Sequence, residues 1–106
     1  AYDGKLLDKT GRDSVTVEVG GGEAGLAFDP LGIRVDGGTE IVWEWTGKGG
    51  AHNIVAADES PTEFSSGDVR RSETYTFSQT LDTTGAHRYY CAPHQAVGMH
   101  GAIVVD

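Results

Sequence analysis

Ala86-His87-Arg88-Tyr89-Tyr90-Cys91-Ala92-Pro93-His94-Gln95-Ala96-Val97-Gly98-Met99-His100-Gly101-Ala102-Ile103-Val104-Val105 closes the chain and reads as strand, loop and strand. Ala86 to Cys91 is rich in aromatic residues and Gly101 to Val105 in β-branched ones, as strands are. The loop between them holds the only cysteine and the only methionine of the 106 residues, in the order Cys-x2-His-x4-Met. Taken singly, a lone Cys is most often a small buried hydrophobe and a lone Met a core filler. Their joint placement around His94, between two strands, favours a metal site instead.

Thiolate, imidazole and thioether on one short loop need one more imidazole to make the His₂Cys trigonal set with a weak axial Met that suits blue copper. His52 supplies it, so the predicted metal ligands are His52, Cys91, His94 and Met99. Cys91 gives the strong bond, His52 and His94 complete the plane, and Met99 stands along the axis. Soft sulfur suits Cu(I) and imidazole suits Cu(II) as well, so one electron can come or go with little rearrangement.

Two further histidines compete and geometry removes both. His87 shares a strand face with Cys91, but four residues at about 3.3 Å each place them roughly 13 Å apart, too far for one ion. His100 follows Met99 directly, and neighbours in an extended segment face opposite sides, so only one of them meets the metal. Asn53, beside His52, has two readings: a hydrogen-bonded link between the ligand loops, or a turn Asn bonded to its own backbone.

Working outward, Ser14 to Val19 alternates with Val15, Val17 and Val19 on one face, and Glu40 to Trp45 places Ile41, Trp43 and Trp45 together. Short strands are also expected at Leu26–Phe28, Ile33–Val35, His52–Ala56 and Glu73–Phe77. Residues 57–71 show no period and read as an irregular crossing with one helical turn, anchored by Phe64. Sixteen glycines punctuate these runs and no helical period persists. The expectation is an all-β Greek-key sandwich of seven to eight strands with the metal at one end. Residues 1–13 form a lead-in or linker, with Tyr2, Leu6 and Leu7 available to pack on a single domain at 14–106.

Sixteen Asp and Glu against eight Lys and Arg leave a formal net charge of −8. Such a chain is a poor partner for nucleic acid phosphates. Acid scattered in ones and twos is expected of a protein kept soluble in brine, where screening makes charge cheap to carry. One Cys excludes an internal disulfide. No apolar run is long enough to span a membrane, so the chain reads as a soluble piece, with prior removal of an anchor or export signal left open.

Tyr90 to Met99, with His52-Asn53 upstream, resembles plastocyanin-type cupredoxins. The acidic composition, the Tyr2-Asp3-Gly4 lead-in and Val42-Trp43-Glu44-Trp45-Thr46-Gly47 look most like the halocyanin group of small blue copper proteins. The resemblance implies an eight-stranded cupredoxin sandwich, one copper on His52, Cys91, His94 and Met99, and electron shuttling without substrate turnover. It further implies a monomer at the outer face of the cell membrane, with membrane-bound redox partners docking near His94. Pro93, Ala96 and Val97 form an apolar collar around that imidazole, and Tyr90 is either a second exit or an ordinary strand tyrosine. Two departures stand out. Ala92 replaces a hydroxyl residue, leaving backbone groups to support Asn53, and Asp58-Glu59 is thinner than the acidic patch of plant plastocyanins. A binuclear copper centre is excluded for want of a second Cys. The alternative is a copper- or zinc-binding module without redox shuttling, although structural zinc prefers four strong ligands. A Cys91 nucleophile with His94 as base lacks any sign of an oxyanion hole.

Overall fold

In the computed structural model, residues 6–21, 25–58, 60–67, 69–93 and 99–106 are described. They contain nine strands: β1 (Leu7–Asp8), β2 (Ser14–Gly21), β3 (Ala27–Asp29), β4 (Gly32–Val35), β5 (Thr39–Trp45), β6 (Val55–Ala56), β7 (Thr76–Leu81), β8 (Gly85–Tyr90) and β9 (His100–Val105). One sheet runs β1-β4-β9-β8-β6 and the other β3-β2-β5-β7. Parallel pairs (β1·β4, β4·β9, β2·β5) mix with antiparallel ones, because the chain repeatedly crosses between the sheets. The all-β sandwich expected from the sequence is present. Its count exceeds seven to eight by β1, a two-residue strand in the lead-in that pairs with β4.

Alternation decides which face is buried. In β2, Val15, Val17 and Val19 are buried between exposed Ser14, Thr16 and Glu18. In β5, Ile41, Trp43 and Trp45 are buried between exposed Glu40 and Glu44. The two strands pair in register from Ser14↔Glu40 to Val19↔Trp45, so both apolar rows face the second sheet. Trp43 meets Tyr89 of β8 edge to face, with ring centroids 5.3 Å apart at 84°. Phe77 stacks on the same indole at 5.5 Å, and Phe64 lies against it at 5.5 Å. Phe64 therefore anchors the 57–71 crossing as expected. No helical turn is present among the described residues of that crossing; a single bond from the Ser60 N–H to the Ala57 carbonyl turns the chain.

Two strands sit differently from expectation, for local reasons. The 73–77 strand begins instead at Thr76, because the Ser72 hydroxyl accepts the N–H groups of Thr74 and Tyr75 (3.0 and 3.1 Å) and holds them in a turn. Its alternation keeps the expected phase and continues to Leu81, which is fully buried opposite Thr39. The 52–56 strand shrinks to Val55–Ala56. Upstream of it, His52 pairs with Arg70 as an isolated bridge and the Ile54 N–H goes to the Ser66 hydroxyl at 2.8 Å. The segment is thus seamed to the 64–70 crossing, which fixes the position of His52. Within the lead-in, β1 pairs with β4 while Leu6 and Leu7 remain exposed.

Candidate metal centre

Cys91 follows the last residue of β8, and Met99 precedes the first of β9. The strands' final pair is Tyr90↔His100, and one step beyond it the Cys91 N–H donates to the Met99 carbonyl at 3.1 Å. That bond ties the two ends of the ligand loop together. Cys91, Met99 and His52 are all completely buried. His94, with Ala96 and Val97 of the expected collar, lies outside the described residues.

The imidazole of His52 is held from behind. Its Nε2 lies 2.6 Å from the Lys48 carbonyl, and a carbonyl only accepts, so Nε2 carries the proton. Nδ1 is left with its lone pair, 3.6 Å from Cys91 Sγ. Imidazole and thiolate bonds to a d-block ion run about 2.0–2.1 and 2.3 Å, and opened at 110–120° they set N and S about 3.6–3.8 Å apart. The observed separation fits one ion shared by both atoms. Chemistry agrees with distance: a buried thiol, a correctly protonated imidazole and a thioether are soft and borderline donors that suit copper.

Several neighbours build this geometry. Thr46 donates its hydroxyl to the Gly20 carbonyl (2.8 Å) and accepts the Lys48 N–H (3.2 Å), setting the turn that presents the Lys48 carbonyl. Gly49 has φ +76°, and a Cβ there would stand 3.1 Å from His52 Nε2 while colliding with the Gly25 backbone. Only glycine fits both conditions. The Trp45 indole N–H donates to the His52 carbonyl at 3.1 Å. Asn53 links the ligand loops: its Oδ1 accepts the Ala92 N–H at 2.9 Å and its Nδ2 donates to the Gly67 carbonyl at 3.3 Å. Both partners are backbone groups, as expected with Ala at position 92.

The two eliminated histidines have other neighbours. His87 is buried on β8 opposite Ile103, with Nε2 2.7 Å from the Thr83 carbonyl and Nδ1 without a hydrogen-bond partner among the described residues. His100 is half-buried beside Tyr90, ring centroids 6.3 Å apart. Tyr89, one residue before Tyr90, is the wholly buried tyrosine, and desolvation pushes its phenol far above the usual range. The roles of Lys48, Thr46 and Gly20 escaped the sequence reading. Two act through backbone carbonyls, which every residue type possesses.

Residues 15–106 match the family described as copper binding proteins, plastocyanin/azurin family. A halocyanin of Natronomonas pharaonis is 53% identical over 105 residues, which cover 99% of this chain and 64% of that protein. A plastocyanin of Ginkgo biloba is 33% identical over 100 residues, covering 87% of this chain and all of that one. Among solved structures, a reduced amicyanin variant superposes with a TM-score of 0.70 at 21% identity, over 89% of this chain and 83% of that chain. Fold, buried donors and sequence matches agree that the chain belongs to the plastocyanin/azurin family of copper-binding proteins.

Proposed function

We propose that the chain is a one-electron carrier with a single type 1 copper held by His52, Cys91, His94 and Met99, and that it turns over no substrate. The observation that carries this reading is the 3.6 Å approach of His52 Nδ1 to Cys91 Sγ, with both groups buried and Nε2 already committed to Lys48. When bound, copper supplies the Cu(II)/Cu(I) couple. The protein supplies the rest. Lys48 fixes the imidazole tautomer, Asn53 ties the 52–53 segment to the start of the ligand loop, and the Cys91–Met99 backbone bond limits how far the loop spreads. Complete burial of three donors excludes water, so charge alternates in surroundings that reorganise little.

Its partners are redox proteins, membrane-bound and docking near His94, and the carrier works as a monomer at the outer face of the cell membrane. This placement extends what the resemblance of Tyr90 to Met99 and His52-Asn53 to small blue copper proteins implies. A shuttle must release its partner quickly, so the contact is small and weak.

Cys91→Ser tests the assignment. The copper-loaded protein is expected to show an intense visible absorption, bleached by ascorbate, that vanishes in the variant while the β-sheet circular dichroism stays. A colourless wild-type holoprotein indicates a zinc or storage module. An unchanged spectrum in the variant removes Cys91 from the ligand set.

A further inference from the structure

Cations are scarce in this chain, eight against sixteen carboxylates, yet three of them gather beside His52. Lys48, Arg70 and Arg71 are all exposed. Lys48 and Arg71 line one groove with Thr46, Gly47, Ser72 and Glu73, and Arg70 and Arg71 line the adjoining one with Val69 and Tyr75. Among the described residues, none of the three forms an ion pair; the described salt bridge is Arg34–Asp106. Glu73 is the described carboxylate within the patch.

The patch is wired to the metal centre through the backbone. The Lys48 carbonyl holds His52 Nε2, and Arg70 exchanges both backbone hydrogen bonds with His52, each 2.9 Å. A second line runs through rings. The Arg70 guanidinium lies 4.2 Å above the Tyr75 ring, and Tyr75 meets Trp45 edge-on at 4.8 Å. The Trp45 indole N–H ends on the His52 carbonyl. Half-buried Tyr75 and exposed Val69 add apolar contact area beside the guanidinium groups. Arg and Tyr are residues that interfaces favour.

The geometry points to a docking surface at Lys48, Val69, Arg70, Arg71 and Tyr75 for a redox partner whose electron-transfer site is rimmed by carboxylates. The inference rests on the electron-carrier reading and adds a docking route on the His52 side. A net charge of −8 repels an acidic partner at long range, so attraction at the patch acts only within about a Debye length, some 10 Å at 0.1 M salt, and selects orientation. Arginine forks bind carboxylates in pairs of hydrogen bonds, which adds a preferred angle to the contact.

Two trianionic complexes stand in for the partner's carboxylates. Hexacyanochromate(III), paramagnetic and inert, is titrated into isotope-labelled reduced copper protein at low ionic strength. The expected result is strongest broadening at the amides of residues 48, 69–72 and 75; strongest broadening elsewhere overturns the proposal. The rate of oxidation by hexacyanoferrate(III) is then compared between R70Q/R71Q and K9Q/R12Q. These variants carry the same net charge, and Lys9 and Arg12 precede the β2 end farthest from Val19 and Trp45. The patch variant is expected to slow roughly fivefold relative to the control, and equal rates in the two overturn the proposal. If no variant cycles at all, the electron-carrier reading fails, and the broadening map repeated on metal-free protein still decides whether the patch attracts anions.

Discussion

At the scale of single residues, the site depends on how a few hydrogen bonds are committed. Asn53 is buried and bonded on both ends of its amide, and truncating it strands the Ala92 N–H. Asn53→Ala is expected to cost about 1–3 kcal/mol, the penalty for a buried unpaired donor, measurable by urea denaturation of the metal-free protein. Met99 is completely buried, whereas its chain neighbour His100 is half-buried. Met99→Leu is expected to keep the colour and raise the reduction potential, because losing a weak axial donor disfavours Cu(II) more than Cu(I). Voltammetry checks the sign, and a lowered potential contradicts the axial role. The ligand types were legible because Cys, Met and His have distinctive chemistry. The Lys48 carbonyl was not, since the atom that fixes the His52 tautomer is common to all residues.

Strands are the next level, and here packing across the sandwich sets what each position tolerates. Gly101 on β9 faces Tyr89 on β8, and a Cβ at Gly101 would stand 2.8 Å from ring carbon Cε2. The glycine leaves room for the ring that Trp43 and Phe28 grip from the other side. Gly101→Ala is therefore expected to destabilise by about 1–3 kcal/mol through overpacking. Calorimetry of the apoprotein reads this, and a neutral result would mean the ring has another place to go. Strands β2 and β5 were legible since both alternate cleanly over a buried face. The start of β7 was not, because Ser72 captures two N–H groups that periodicity alone assigns to the ladder. Nor was the short extent of β6, whose neighbours bond to an aperiodic crossing.

For the molecule as a whole, the two sheets form a scaffold that brings His52 to the end of β8 from 39 residues away. Holding two donors in place before metal arrives means that binding reinforces a fold already made. Copper at a thousandfold excess over its Kd is expected to stabilise by about 4 kcal/mol, raising the Tm on the order of 15 °C for a domain of this size. His87 is buried on β8 and bonded to the Thr83 carbonyl. His87→Ala is expected to lose about 1–3 kcal/mol of stability with copper stoichiometry unchanged, whereas metal loss would reinstate it as a ligand. The sandwich class was legible from glycine-separated strands, and the site from its donors. What joins them, the seam between residues 52–56 and 64–70, emerges only in three dimensions.

X-ray absorption at the copper edge of the loaded protein tests the central claim most directly. The account predicts one short sulfur shell and two imidazole nitrogens around a single ion, with the sulfur shell lost in Cys91→Ser. A first shell of only nitrogen and oxygen in the wild-type protein would contradict it.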